Sequence, residues 1–279
     1  MEASVSDGDV ESQSLLSTFK TFQSQLDTKY DRSERIVKLS RDITIESKRI
    51  IFHLHRVTTV AKGDDSNADS NLNSNQAEYQ LVVEEAKTRL AKLRTEKFLR
   101  IAKELKSVDH YQYHRSYTFG LQEYIEAASL CYYLETGELV SLPQIQQQLT
   151  FYDADSDDKC EQLRVTVPSV DYLLGIGDLT GEMMRLAVNS ISGGHFQFPF
   201  KIALALAHIS DGFSLIGCDA IQHKDFGFKL RTLKTNLAKV ENVCYQLRLR
   251  ETEVPKHMLA DSLRRGFGFG DIGGGREAE

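Results

Sequence analysis

The stretch from Ser14 to Ala61, SLLSTFKTFQSQLDTKYDRSERIVKLSRDITIESKRIIFHLHRVTTVA, contains neither proline nor glycine. Along it Phe19, Phe22, Leu26, Tyr30, Val37, Ile43, Ile50, Leu54 and Val57 keep an approximate three- and four-residue spacing, the period of an amphipathic helix. At the usual rise per residue such a helix is about 70 Å long. A rod of that length is not an ordinary globular element. It predicts an elongated bundle, or a subunit built to pack against others.

Working outward, the same period returns. Residues 77–107 carry Val83, Ala86, Leu90, Leu93, Ile101 and Leu105 on one face. Residues 110–135 form an aromatic-rich helix that ends at Thr136-Gly137, a C-cap pattern. A short helix over 141–149 starts with Ser141 as N-cap and Pro143 in its first turn. Further helices are predicted over 169–191, from Pro199 to about Ile216, and over 225–252. In the last, Phe226, Leu230, Leu233, Leu237, Val240, Cys244 and Leu247 alternate steps of four and three, a heptad seam read as packing inside the same subunit. The fold class is therefore all-α, an elongated bundle of about seven helices. Between them, residues 63–76 (GDDSNADSNLNSNQ) read as a flexible loop, and residues 150–163, with Asp153, Asp155, Asp157 and Asp158, as an acidic surface loop. That loop lacks the glycine and closing glutamate of an EF-hand. Residues 1–14 read as a disordered acidic N-terminus, 15–262 as the helical domain, and 263–279 as a disordered glycine-rich tail.

Composition removes several classes. Over 279 residues the net charge is −6, so a generally basic nucleic-acid binder is excluded, though a local basic face is not. Cys131, Cys160, Cys218 and Cys244 make no C-x-x-C, against a zinc ribbon or disulfide scaffold and for a reducing compartment. The acidic N-terminus has no apolar core of a signal peptide. The most apolar run, Ile202 to Ile209, is far shorter than a membrane span, so no membrane partner is expected. No GxxxxGK[ST], GxGxxG or GxSxG occurs.

Two acidic pairs interrupt apolar helix. Glu123 and Glu126 lie in GLQEYIEAA, and Asp178 and Glu182 in LLGIGDLTGEMM. Spacings of three and four put each pair on one helix face. Their apolar neighbours predict burial, and buried like charges need a cation. If the two helices face each other, four carboxylates meet and outline a divalent-metal site; solvated surface pairs are the alternative. An all-oxygen donor set suits Mg²⁺, with Mn²⁺ as a substitute. None of the eight histidines follows a Glu or Asp by three residues, which disfavours a di-iron bundle. Neither motif contains lysine or histidine, so water activated by the metal is the expected nucleophile.

Between residues 87 and 106 eight cationic residues face only Glu96 and Glu104. This stripe, with Arg89, Lys92, Arg100 and Lys103, could follow a phosphate backbone or simply be a solvated face. Just upstream of Glu123, the segment DHYQYHRSY supplies His114, Arg115 and aromatic rings suited to stacking on single-stranded RNA, or to the core. His53, His55, His195, His208 and His223 have no ligand partner at helical spacing and are expected to be structural.

Several of these segments resemble the translin family, in its Trax branch: residues 30–56, SYTFGLQEYIEA (116–127), VDYLLGIGDLTGEMMRLAVNS (170–190), and LAKVENVCYQL with VPKHMLAD near the end. The resemblance spans roughly residues 15–262. It implies an all-α fold of about seven helices and pairing with translin in a barrel-shaped hetero-octamer that encloses RNA. It also implies a Mg²⁺-dependent endoribonuclease that cuts single-stranded RNA and removes passenger-strand fragments, activating the RNA-induced silencing complex. Glu123, Glu126, Asp178 and Glu182 match the catalytic and metal-binding acids of that branch. The implied location is the cytoplasm, and the nucleus as well, although the N-terminus here lacks a basic import motif. The rival expectation is a non-catalytic, nucleic-acid-binding scaffold subunit whose acids only make salt bridges.

Overall fold

The computed structural model describes residues 7–58, 68–152, 162–217, 221, 223–251 and 253; of 7–14 and 68–75 only the backbone is described. Helix α1 spans Asp7–Leu54 and tightens into a 3₁₀ turn, His55–Thr58. Helix α2 (Ala68–Leu93) runs through a wide π turn (Arg94–Phe98) into α3 (Leu99–Glu104) as one rod. Then come α4 (His110–Thr136), α5 (Leu142–Gln148), strands β1 (Thr150–Tyr152) and β2 (Gln162–Arg164), α6 (Ser169–Ser192), α7 (Phe198–Ile216) and α8 (Lys224–Glu251). Counting the α2–α3 rod once, the described residues hold seven helices, as expected.

The local reasons are those of the sequence. Asp109 caps α4 by accepting from the Tyr111 N–H, and Gly137 closes it at φ 79°, a left-handed position suited to glycine. Ser141 and Gln144 form a reciprocal capping box at the start of α5. Three boundaries differ from expectation. Residues 7–14 are helical rather than disordered. The polar run 63–76 is helical from Ala68 onward; its first residues lie outside the described ones. The acidic loop 150–163 opens and closes as an antiparallel pair, Phe151 opposite Leu163, while its aspartates and the tail 263–279 lie outside the described residues.

Helix α4 is the hub. It packs on α1 to one side and α6 on the other; α6 packs on α8, α7 covers α6 and α8, and α2 lies along α1. Ile36, Leu39, Ile43, Ile50 and Leu54 form the buried stripe of α1. The heptad residues of α8 face inward as expected, with Leu237 only half-buried. Two glycines set the spacing around α4. A Cβ on Gly120 would stand 2.6 Å from Ser40 Oγ and 2.7 Å from the Ser40 carbonyl oxygen, and one on Gly175 would stand 2.8 Å from Ile125 Cγ2. Only glycine lets α1 and α6 approach α4 this closely.

Helix α7, at 19 residues, is the one described helix long and apolar enough to cross a bilayer by length and composition. It is longer than the Ile202–Ile209 run suggests. Its buried stripe, Ile202, Leu206, Ile209 and Phe213, packs within the bundle, with Phe213 stacked on Phe226 at 5.2 Å.

Candidate active site

Asp171, in the first turn of α6, fixes that helix against α4. Its carboxylate accepts from Thr118 Oγ1 at 2.7 Å and Gln122 Nε2 at 2.8 Å, and pairs with His114 Nε2 at 2.5 Å. Burial alone would push Asp171 up, but the hydrogen bonds from His114, Gln122 and Thr118 outweigh it and hold the carboxyl below its ordinary value. With the helices pinned this way, the acids two turns further along α6 come to face those of α4.

The four acids singled out by spacing line one cleft of about 760 Å³, walled by α1, α4, α6 and α8. Glu126 lies deepest, with 8% of its surface exposed. Among the described residues no side chain hydrogen-bonds or ion-pairs with it. Burial first, then the charges of Asp178, Glu123 and Glu182, push its carboxyl up to about 9. Burial also pushes Glu123 up, against the opposing pull of Lys48.

The other three acids meet basic side chains from elements that carry neither motif. Lys48 of α1 stands 3.2 Å from Glu123. His55 Nε2, in the 3₁₀ turn, is 2.6 Å from Glu182, which also pairs with Arg185 one turn along α6. Lys229 of α8 pairs with Asp178. The imidazole of His55 is therefore part of the site and not merely structural, and its buried Nδ1 has no hydrogen-bond partner among the described residues. Sequence reading passed over Lys48, Arg185 and Lys229 and took His55 as structural. His55, at the start of the 3₁₀ turn that continues α1, follows Lys48 by seven residues, a signal visible only once an acidic partner helix is known.

The expected RNA contacts separate. Arg89 is bound to Glu46 through Nε and Nη2, at 2.8 and 2.6 Å, and His114 serves Asp171. Lys92, Arg100 and Lys103 are exposed. The π turn rotates Arg100 and Lys103 relative to Arg89 and Lys92, so the stripe is not one straight line. It also faces away from the acids: on α1 its partner Glu46 lies about 160° around the axis from Lys48. Arg115 is placed differently. It is exposed, and sits about three turns before Glu126 on nearly the same face of α4.

Residues 31–251, which include every helix wall of this cleft, match the model of the translin family. The chain belongs to the translin family. It is 42% identical over 259 residues to translin-associated protein X of Rattus norvegicus, covering 88% of this chain and 83% of that protein. The homologue from Schizosaccharomyces pombe is 30% identical over 242 residues, covering 84% and 89%. Translin of Gallus gallus is 31% identical over 143 residues, half of this chain and 58% of that protein. Among solved structures, apo-NeC3PO aligns with a TM-score of 0.56 at 18% identity, over 82% of this chain and 96% of that one. The AfC3PO–duplex RNA complex aligns with a TM-score of 0.54 at 14% identity, over 85% and 100%. Likeness at such identity concerns the fold, which is that of the translin-family assemblies.

The donor set of this translin-family cleft is oxygen-only apart from His55, the chemistry that suits Mg²⁺ or Mn²⁺. A deep carboxylate without a cation of its own fits such a guest. As they stand, however, no three carboxylate, imidazole or thiol groups among the described residues are gathered closely enough to hold one ion. An ion held there would compete with the side chains paired with Glu123, Asp178 and Glu182.

Proposed function

We propose that this chain is the catalytic subunit of an RNA-cleaving assembly formed with translin, acting on single-stranded RNA with Mg²⁺. The observation that carries the reading is Glu126: a buried carboxyl group among three other acids, with no cation of its own among the described residues, deep in a cleft. Leaving such a group unpaired is costly, and proteins accept that cost mostly at working sites. Glu123, Glu126, Asp178 and Glu182 would hold the divalent ion. When bound, the ion supplies positive charge to a phosphodiester and makes a water acidic enough to attack it. The chain's own residues orient the strand: Arg115 upstream on α4, and Lys48 and Lys229 at the cleft walls. Passenger-strand fragments as the substrate are part of this proposal. The hetero-octamer with translin, and activity in the cytoplasm and nucleus, belong to the same proposal.

One observation favours the scaffold reading: three of the four acids already have protein cations, Lys48, Arg185 and Lys229. The two readings part in one experiment. The chain, co-purified with translin, is incubated with end-labelled single-stranded RNA in Mg²⁺ or in EDTA. Cleavage in Mg²⁺ alone, lost in Glu126→Gln with RNA binding retained, is the expected result. RNA bound and uncut in both buffers would establish the scaffold.

A further inference from the structure

Lys229 enters the cleft from α8, the helix that carries neither acidic motif. Its stem lies against the bare backbone of Gly177: a Cβ there would stand 3.0 Å from Lys229 Cδ and 3.1 Å from Lys229 Cβ. The ammonium reaches past Gly177 to the next residue, Asp178. The side chain keeps 17% of its surface exposed, against 62% for Lys48, so its head is held in the cleft rather than in bulk water.

Charge then limits what Lys229 can do. Without a divalent ion, the cations Lys48, Arg185 and Lys229 stand on Glu123, Glu182 and Asp178, while Glu126 has none of its own among the described residues. A divalent ion on the same carboxylates would add two positive charges and compete with Lys229 for Asp178. Lys229 would be left beside a like charge, unless an anion joins it. The anion that single-stranded RNA brings to this point is a backbone phosphate.

We infer that Lys229 is a two-position cation: it neutralises Asp178 when the cleft lacks a divalent ion, and transfers to a phosphate of the bound RNA when the ion arrives. The inference rests on the proposed function and deepens it. Lys229 is thereby both the internal competitor of the metal and a substrate-binding residue. Its pairing with Asp178 is then an exchangeable contact rather than a fixed strut of the α6–α8 interface.

The test uses the full chain co-purified with translin, as wild type, Lys229→Met and Lys229→Arg. Mn²⁺ binding is measured first, by titration calorimetry without RNA, with Glu126→Gln as the control that locates the ion. Removing the competitor should tighten Mn²⁺ binding in Lys229→Met by about threefold, the scale of a partly exposed ion pair. Lys229→Arg should bind Mn²⁺ no more tightly than wild type. RNA binding is measured next over a salt series, in Ca²⁺ and in EDTA. In Ca²⁺ the salt slope of Lys229→Met should drop by about 0.7, the value of one phosphate of a single strand left without its cation. In EDTA, where Lys229 stays on Asp178, the slope should not change. Unaltered Mn²⁺ affinity in Lys229→Met, or a slope that drops equally in both buffers or in neither, overturns the inference while leaving the site intact. A wild type that binds no Mn²⁺ sensitive to Glu126→Gln overturns the underlying reading and the inference with it.

Discussion

Two buried carboxylates on the α4–α6 interface have opposite energetic signs. Asp171 accepts three hydrogen bonds; Glu126 has no partner among the described residues and three acids around it. For Glu126 the unfolded carboxyl titrates near 4.5 and the folded one at about 9. Between those values the folded chain keeps a proton that the unfolded chain has released. Stability of the ion-free protein therefore falls as pH rises through this window, and levels off above it. Glu126→Gln removes the dependence and should stabilise the ion-free complex near pH 7 by on the order of 3 kcal/mol. Asp171 runs the other way: its contribution is present above its unfolded value of 3.8 and is lost as pH falls through the lower folded value. Asp171→Asn should cost about 2 kcal/mol, the loss of charged hydrogen bonds in a buried network. Urea melts in EDTA at pH 5 and pH 8 check both. A Glu126→Gln variant less stable than wild type at pH 8 would make Glu126 a structural acid. The pairing of acids on one helix face was legible from spacing, whereas their opposite energetics was not. Glu126 and Asp171 look alike in sequence, and only the donors across the interface tell them apart.

At the scale of elements, the helices were legible because an uninterrupted apolar period needs no tertiary information. The loops were less so. The polar residues 68–76 read as loop because they offer no apolar stripe, yet the backbone is helical from Ala68. The hairpin ends at 150–152 and 162–164 are too short to show a strand period. The basic stripe is the clearest case of a sequence signal divided by structure. Its charge is one block in the sequence, but Arg89 and Lys97 are spent on Glu46 and Asp42 of α1, and the π turn reorients the rest. Only Lys92, Arg100 and Lys103 of the expected contacts there remain exposed. Changing these three to glutamine should lower the salt slope of RNA binding by about 0.7 for each phosphate that is no longer neutralised, with cleavage chemistry unchanged. An unaltered slope in the triple variant would assign the stripe to solvent or to a subunit boundary, away from RNA.

For the whole molecule, the first half of α1 is the main feature that the described residues leave uncovered. Leu15, Phe19, Phe22, Leu26 and Tyr30 repeat at helical spacing and are each more than half exposed. An apolar face of this length is a surface for another subunit. We expect the chain alone to aggregate and to become monodisperse with translin. Changing Phe19, Phe22 and Leu26 to serine should abolish co-assembly in sedimentation runs. It should leave the melting of the bundle near that of wild type, because these side chains are exposed and lie outside its core. A stable, active monomer in sedimentation would remove the argument.

Periodicity, capping and charge spacing by themselves determined an all-α bundle of about seven helices. They also placed four acids on two helix faces and left one rod too long for its own core. Those properties depend on residues near one another in the chain, so local physics suffices. Only the tertiary structure decided which faces meet. It set Asp171 against His114, brought Lys48, His55 and Lys229 to the acids from helices tens of residues away, and turned Arg89 and Lys97 of the basic stripe toward α1. Contacts of this kind are set by how closely backbones approach, here through Gly120, Gly175 and Gly177, and no pattern within a single helix encodes the identity of its neighbour.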